Sequence, residues 1–520
     1  MDRRRAALSA ALALPPATFL ALFFAYPFAA IVERGLAGGG AVDVPWDVVW
    51  FTAWQAAAST ALTLVLGFPL AWVLGRFAFR GRALARALVL VPFVLPTIVV
   101  ATAFLAVLPE GRERGVAPIL AAHVFFNVAV VVRIVSAAWS RFDAGLWDAA
   151  ATLGASPWRR LRHVTLPLLT PALASAGALV FLFTFTSFGV VLILGGPGRA
   201  TIETEIYTSA ARLFDLRTAA VLSLVQLVAV AVVLAVAGAL ERRVAVTPLA
   251  GEREALRRPR GRVRIVVALV LGVSALALGL PLAGLVERSL ATPDGYGLDF
   301  YRLLGEETAA LLVPPWRAVV NSLLFATAAT ALALALGTLV AVSTVRTGAR
   351  WLDAVAMLPL GVSAVMLGFG FVIAFADPPL DFRGAVWLVP VAQALVAAPF
   401  VVRTLAPALR SVDPRLREAA AVLGASPSRV WREVDLPLAL RTLGVAAGFA
   451  FAVSLGEFGA TVFVARSDWP TLPVAIFRFL GRPGAVNAGQ AAALGVVLMA
   501  VTAAVVLAAD RAGGLRRGAL

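Results

Sequence analysis

Few side chains in this sequence could do chemistry, and their types exclude several functions. All 45 basic residues are arginine, so the chain has no lysine for a Schiff base and no GxxxxGK[ST] phosphate loop. It has no cysteine, which excludes disulfides, iron–sulfur clusters and thiolate metal sites. The two histidines fall in different settings: His123 lies within an apolar run and His163 in a loop. We therefore predict no catalytic residues, no metal site and no cofactor.

The informative spacing belongs to a motif that occurs twice, 270 positions apart. The first copy is DAAATLG at 148–154, then nine residues, then VTLP at 164–167. The second is EAAAVLG at 418–424, then nine residues, then VDLP at 434–437. An acid followed by alanines predicts a short helix with the acid in its first turn. Gly154 and Gly424 predict a left-handed turn, and the Ser-Pro that follows predicts a second short helix.

The elements that position these copies are membrane helices. Apolar residues make up 61% of the chain and charged residues 14%. The charges fall between apolar runs of about 20 residues, the length that crosses a bilayer as a helix. Twelve runs are found, at roughly 7–32, 52–75, 87–108, 116–140, 171–195, 218–240, 265–286, 318–345, 354–376, 385–409, 442–465 and 488–509. The predicted fold class is an all-α polytopic membrane protein.

The arginines also orient the chain. With the N-terminus in the cytoplasm, 32 of the 45 arginines lie on the cytoplasmic side and 13 outside, as the positive-inside rule requires. Both motif copies and both chain termini are then cytoplasmic. The net charge of +16 follows from this topology, so no nucleic-acid partner is expected. The first apolar run is too long for a cleavable signal peptide and is interpreted as the first membrane helix.

Matches at the same offset extend beyond the motif and divide the chain into two repeats. We assign 1–240 to the first repeat, with the motif loop at 143–167, and 265–520 to the second, with the loop at 413–437. An Arg-rich cytoplasmic linker at 241–264 joins them. Six spans in each repeat give the repeats the same orientation, so they should be related by an axis along the membrane normal. A pathway is expected at their interface.

At the motif residues the chain resembles the permease subunits of binding-protein-dependent ABC importers, with Asp148 standing where their signature has glutamate. The resemblance covers essentially the whole chain and implies the type I importer fold, two parallel repeats of six helices in the inner or plasma membrane of a prokaryote. It implies a separate cytoplasmic ABC ATPase dimer and an extracytoplasmic solute-binding protein as partners, besides the lipid bilayer. A helix resting on lipid headgroups would explain the Arg and Trp of the loops, but not the repeated alanines and glycine.

The resemblance assigns the motif loops to the coupling helices that dock in a cleft of the ATPase. The residues predicted to form these loops are Asp148, Ala149, Ala150, Gly154, Pro167, Glu418, Ala419, Ala420, Gly424 and Pro437.

The substrate is indicated less clearly. Residues 183–226 are similar to fused permeases for thiamine, at 183–196, 201–203, 206–207 and 217–226, and the ferric-iron permeases are fused in the same way. Residues 455–460 and 471–473 are similar to molybdate and sulfate permeases. We predict transport of thiamine or its phosphates, with ferric iron or an oxyanion as alternatives. An ion-coupled secondary carrier is the alternative from another class, but such carriers usually pair charges within their spans.

Glu457 and Ser187, which match at the offset of 270, are the candidate pathway residues. A charge inside a bilayer costs at least about 2.5–3.5 kcal/mol, so Glu457 should face the pathway or pair with an arginine or backbone groups. The other polar residues within spans are predicted to make hydrogen bonds between helices: Gln55, Asn127, Gln226, Asn321 and Gln393.

Overall fold

The computed structural model describes residues 3–37, 43–141, 144–196, 198–244, 256–293, 295–376 and 380–513. Asp143, the first residue of the first motif loop, and 245–255 of the linker lie outside these residues. So do 1–2 and 514–520, the chain ends that the sequence predicts to be cytoplasmic.

The first half of the chain forms twelve helices within the described residues. They are α1 (Arg3–Leu20), α2 (Tyr26–Leu36), α3 (Trp46–Arg76), α4 (Arg82–Val94), α5 (Thr97–Val107), α6 (Val116–Trp139), α7 (Ala144–Thr152), α8 (Pro157–Arg160), α9 (Leu166–Phe185), α10 (Gly189–Leu194), α11 (Ile202–Ala211) and α12 (Leu216–Val244). Two wide π turns, Ala21–Ala25 and Leu161–Thr165, connect α1 to α2 and α8 to α9 without a break.

The second half adds α13 (Arg262–Leu290), α14 (Asp299–Arg302), α15 (Trp316–Thr347), α16 (Arg350–Gly361), α17 (Ala364–Ala374), α18 (Leu388–Arg410), α19 (Pro414–Val422), α20 (Pro427–Val430), α21 (Leu436–Gly456), α22 (Thr461–Val464), α23 (Leu472–Leu480) and α24 (Ala485–Gly513). A third π turn, Trp431–Asp435, joins α20 to α21, and a 3₁₀ turn, Leu303–Gly305, follows α14. Two short antiparallel strands, β1 (Ala291–Thr292) and β2 (Gly295–Tyr296), form a hairpin.

The number of helices that could span a membrane agrees with the sequence prediction. Ten helices of the described residues are long and apolar enough, or twelve when two bent pairs are each counted as one span. The all-α polytopic fold class is confirmed.

The two bent pairs correct the expectation of continuous helices at 87–108 and 354–376. α4 and α5 meet at 104°, and α16 and α17 meet at 98°. Leu95 is extended (φ −67°, ψ 140°) because the following proline, Pro96, disfavours helical backbone at the residue before it. In the second pair Ser363 makes the break, since its hydroxyl accepts from Met366 N at 3.0 Å and so begins a new helix.

The fifth span of each repeat is also broken, which corrects the runs at 171–195 and 442–465. α9 ends at Phe185 before α10 begins at Gly189, and α21 ends at Gly456 before α22 begins at Thr461. These breaks carry Ser187 and Glu457, the two candidate pathway residues.

By contacts the chain forms two compact units that do not follow the repeats. One contains Met1–Asp43, Ile206–Leu224 and Ser289–Leu520, and the other contains Val44–Glu205 and Val225–Arg288. The first helices of the chain therefore group with residues of the second repeat, and most of α13 groups with residues of the first.

Within each unit the long helices pack closely through equivalent glycines. A β-carbon on Gly67 of α3 would lie 3.0 Å from Val131 Cγ1 of α6. One on Gly337 of α15 would lie 2.7 Å from the Val401 side chain of α18. Both pairs are 270 positions apart, so the same small residue brings the same two helices together in each repeat.

The starts of α11 and α23 are held by equivalent hydrogen bonds. Ile202 N donates to the buried Thr52 hydroxyl at 2.9 Å, and Leu472 N donates to the buried Ser322 hydroxyl at 2.6 Å. The donors and the acceptors are each 270 positions apart. The repeat seen in the sequence is thus also a repeat of local structure.

Candidate functional sites: the motif loops and the helix breaks

The first helix of each motif loop is longer at its start than the sequence indicated. α19 begins at Pro414, and the Asp413 side chain caps it by accepting from Arg415 N at 2.9 Å. Glu418 is the fifth residue of α19 and Asp148 the fifth of α7. The prediction that these acids lie in the first turn is wrong, because the capping aspartate lies five residues before Glu418.

The turn after this helix is the same in both copies, as predicted. Gly154 and Gly424 both have φ +78°, a left-handed conformation. Ala155 N and Ala425 N donate to Ala150 O and Ala420 O, both at 3.0 Å. A β-carbon on either glycine would meet nothing within 4 Å. The backbone conformation, and not lack of space, therefore calls for glycine at these positions.

The segment after the turn is part of a membrane helix and not a separate short helix, which corrects the sequence prediction. The Ser156 and Ser426 hydroxyls accept from Arg159 N and Arg429 N at 3.3 and 3.4 Å, and so begin the helices as N-caps. Each helix then runs through its π turn into α9 or α21. The wide turn comes directly before Pro167 or Pro437, whose ring lacks an N–H and crowds the preceding turn.

The tip of each motif loop is apolar and exposed. Leu153 is 87% exposed, Val422 87% and Leu423 86%. These residues lie between the alanines and the glycine of each motif. Trp158, four residues after Gly154, is 66% exposed. The sequence prediction described the exposed surface as small residues flanked by Arg and Trp, so it did not name Leu153, Val422 and Leu423. Their position directly before a left-handed glycine is the signal that could have identified them.

The linker contacts the first motif loop. Arg257 Nη2 lies 3.3 Å from Asp148 Oδ2, and Arg257 also bridges the end of α3 through its backbone. Its N–H donates to Arg76 O at 3.0 Å, and its carbonyl accepts from Ala78 N at 2.9 Å. The ion pair is largely exposed, so the backbone bonds contribute more to holding this part of the linker.

Ser187 lies in a buried chain of three side chains. His123 Nε2 is 2.9 Å from Ser187 Oγ, and His123 Nδ1 is 3.0 Å from Ser59 Oγ. These hydrogen bonds join α3, α6 and the break after α9, and all three residues are buried. His123 is therefore a packed polar group, as predicted, and it holds the broken segment of the fifth span.

Glu457 holds the equivalent break in a different way. It is 6% exposed, and its carboxylate accepts from Ala460 N at 2.7 Å and from Thr461 N at 3.0 Å. The side chain thus caps α22, which corresponds to the predicted alternative of pairing with backbone groups. α17 packs against this break, since a β-carbon on Gly368 would lie 2.8 Å from Ala460 Cα.

Two further buried carboxylates were missed by the sequence prediction. Glu203 is fully buried in the first turn of α11 and accepts a hydrogen bond from Gln226 Nε2. Asp435, inside the second motif, is 1% exposed. Among the described residues, no three histidine, aspartate or glutamate side chains come together as a metal site would require.

Of the five polar residues predicted to join helices, Gln55 and Gln226 do so, and Asn321 joins a helix to the loop before α23. Gln55 Nε2 donates to Thr184 O at 2.9 Å, Asn321 Nδ2 donates to Pro470 O at 3.1 Å, and Gln226 bonds to Glu203. Asn127 instead bonds within its own helix, to His123 O at 3.0 Å. For Gln393 Oε1 no partner is found within the described part of the chain.

Comparisons with known proteins agree with this architecture. Residues 64–246 and 333–512 each match the family described as binding-protein-dependent transport system inner membrane component. A thiamine transport system permease protein of Brucella abortus (strain 2308) is 32% identical, over 99% of this chain and 98% of the relative. That of Escherichia coli (strain K12) is 29% identical over 81% of each chain. A putative 2-aminoethylphosphonate transport system permease protein of Salmonella paratyphi A is 32% identical over 49% of this chain and 95% of the relative.

Proposed function

The chain belongs to the family of inner membrane components of binding-protein-dependent transport systems, and we propose that its substrate is thiamine or a thiamine phosphate. As an ABC importer permease it serves transport and not catalysis. The observation that supports thiamine as the substrate is the similarity to a thiamine permease along 99% of this chain. A match of that extent includes the helix breaks as well as the motif loops.

Energy is supplied in this proposal by a separate cytoplasmic ATPase dimer. The chain has no lysine and so no phosphate loop of its own. Each motif loop offers an apolar tip beside a rigid left-handed turn, and exposed apolar side chains of this kind suit a protein interface. Asp148, Gly154, Glu418 and Gly424, with the alanines between them, would lie on the docking surface.

We also propose how the chain is oriented in the membrane and how its two repeats are arranged. The motif loops, the linker at 241–264 and both termini are cytoplasmic, because most arginines then lie inside. An extracytoplasmic solute-binding protein delivers the substrate on the other side. The repeats 1–240 and 265–520 contribute six spans each, and the pathway lies between them.

Ser187 and Glu457 are proposed to lie beside this pathway. Both residues are at breaks of the fifth spans, and helices broken within the membrane are where transporters place their binding and gating segments. Their hydrogen bonds to His123 and to the backbone of α22 support a role in shaping the breaks.

An anionic substrate is the second candidate. The match to a permease named for 2-aminoethylphosphonate covers one half of the chain, and residues 455–460 resemble oxyanion permeases. Ferric iron is the third candidate, because the ferric-iron permeases are also two repeats fused in one chain.

The test is transport by the reconstituted complex. The permease would be placed in liposomes with its ATPase and binding protein, and uptake of labelled thiamine measured with competing thiamine phosphate, 2-aminoethylphosphonate, molybdate or ferric citrate. Uptake that needs internal ATP and is competed only by thiamine compounds is expected. Competition by an anion or by iron instead would overturn the substrate. Uptake driven by an ion gradient without the ATPase would overturn the mechanism and favour a secondary carrier.

A further inference from the structure

The second motif loop is tied to the membrane helices by a buried carboxylate. Asp435 is at the end of the π turn before α21 and is 1% exposed. It accepts from Arg417 Nε of α19 at 2.8 Å and is paired with Arg346, in the last turn of α15. A buried carboxylate between two guanidinium groups is stable only while both partners stay in place. The three segments therefore hold one another in a fixed arrangement.

Arg417 adds a fourth element to this contact. Its Nη2 donates to Leu409 O at 2.8 Å, in the C-terminal turn of α18, where a positive charge suits the helix dipole. One side chain of the loop helix thus reaches α18 and, through Asp435, also α15 and α21. The guanidinium is suited to this because its donors form a rigid fork.

The first motif loop keeps the arginine but has different residues at the other two of these three positions. Arg346, Arg417 and Asp435 correspond, at the offset of 270, to Arg76, Trp147 and Thr165. The Arg76 guanidinium lies 5.2 Å from the Trp147 ring centroid, and that of Arg160 lies 4.8 Å from it. Trp147 also packs against the apolar cluster around Leu169. At these positions the first loop has a cation–π contact with apolar packing, where the second has ion pairs to Asp435. Arg346 also lies 5.5 Å from the ring centroid of Trp431, which is outside the three positions.

We propose that these three positions form the joint through which each motif loop moves its membrane helices, ionic in the second repeat and aromatic in the first. This role depends on the proposed docking of an ATPase to the motif loops. Both versions connect the loop helix to the same membrane helix, α3 in the first repeat and α15 in the second. Neither uses the exposed tip residues, so docking and transmission are carried out by different side chains. Arg417 and Asp435 are positioning residues in this proposal.

The test separates ATPase binding from coupling. In the reconstituted complex, Asp435→Asn should still co-purify with the ATPase, while the uptake of thiamine per ATP hydrolysed falls about tenfold. Glu433→Gln is the matched control, because Glu433 is an exposed acid two residues away that pairs only at the surface with Arg429. It should leave coupling unchanged. A normal uptake ratio in Asp435→Asn overturns the joint, and so does loss of ATPase binding, since Asp435 would then belong to the docking surface.

Two more variants keep the test decisive if Asp435→Asn does not reach the membrane. Arg417→Lys keeps the charge but cannot bridge Asp435 and Leu409 O together, and should lower the uptake ratio by about threefold with normal membrane levels. Arg417→Trp combined with Asp435→Thr gives the second loop the residues of the first, and should couple better than Arg417→Trp alone. An unchanged ratio in Arg417→Lys, or no gain in the double variant, contradicts the proposal.

Failure of the joint can be told from failure of the proposed function. A wild-type complex that hydrolyses ATP but takes up no thiamine contradicts the substrate only. The joint is then read from the stimulation of ATP hydrolysis by the binding protein, which Asp435→Asn should abolish and Glu433→Gln should not. A wild-type chain that binds no ATPase contradicts both.

Discussion

Gly154 and Gly424 are 270 positions apart and share a backbone φ of +78°. Just after each glycine, an alanine N–H donates to an alanine carbonyl at 3.0 Å, from Ala155 to Ala150 and from Ala425 to Ala420. The two motif loops therefore present the same turn. The two loops differ in how they are attached to the membrane helices. Because the turns are equal and the attachments are not, equivalent variants of the two loops can be compared directly.

Gly154→Asp and Gly424→Asp should each abolish transport while the chain still inserts in the membrane. A side chain at this φ costs roughly 1–2 kcal/mol of backbone strain, and it places a charge on the docking surface. Uptake and membrane level would be measured together. Gly111→Asp is a close control, since Gly111 has the same φ of +78° and open space around it, in a loop on the opposite side in the proposed topology. Full transport by either motif variant would exclude docking at that loop.

Glu457→Gln should slow uptake of every transported compound to a similar degree. The carboxylate uses both oxygens to cap α22, and an amide offers only one acceptor, so the break loses one of its two hydrogen bonds. A selective loss for cationic compounds would instead indicate direct contact with the substrate. Glu306→Gln, at an exposed acid, serves as the control. Unchanged uptake together with unchanged ATPase stimulation would remove Glu457 from the pathway.

His123→Ala should destabilise the protein by about 1–3 kcal/mol, because it leaves the buried Ser59 and Ser187 hydroxyls without their partner. The midpoint of thermal unfolding in detergent would report this. His163→Ala, at the exposed histidine of the first motif loop, should leave the midpoint unchanged. Equal midpoints for both variants would show that the buried chain does not stabilise the fold.

Phe214→Gly should stabilise the fold. Phe214 has φ +57° and is 80% exposed, and the equivalent residue of the second repeat is Gly484, with φ +114°. Relief of about 1–2 kcal/mol of strain is only partly offset by the greater freedom of glycine in the unfolded chain. The unfolding midpoint should rise. Leu213→Gly is the control and should lower it, because Leu213 is not in the left-handed region and gains nothing from glycine.

The sequence was sufficient for the features that depend on spacing and composition. The apolar runs predicted the spans, the offset of 270 predicted equivalent turns at Gly154 and Gly424, and the polar residue Gln55 was correctly expected to join helices. These features depend on residue type alone. Only glycine adopts φ +78° without strain, and only a helix satisfies its own backbone in lipid.

The helix breaks could not be predicted in the same way. Ser187 and Glu457 lie within apolar runs long enough to span a membrane, so hydropathy alone does not show that the helix stops there. What ends the helix is a tertiary contact at Ser187 and a local cap at Glu457. Likewise, the burial of Asp435 depends on Arg346, 89 positions away, and nothing in the motif itself indicates this partner.

The π turns at Leu161–Thr165 and Trp431–Asp435 have a mechanical consequence. Because they keep the helix unbroken, Pro157–Phe185 and Ser428–Gly456 are each single helical rods of 29 residues, about 43 Å long at 1.5 Å per residue. Each rod has a motif turn at one end and a helix break at the other. A tilt of about 5° about the motif-turn end would displace the far end by about 4 Å over this length. Over this length, a small rotation at the motif turn becomes a larger displacement at the helix break that carries Ser187 or Glu457.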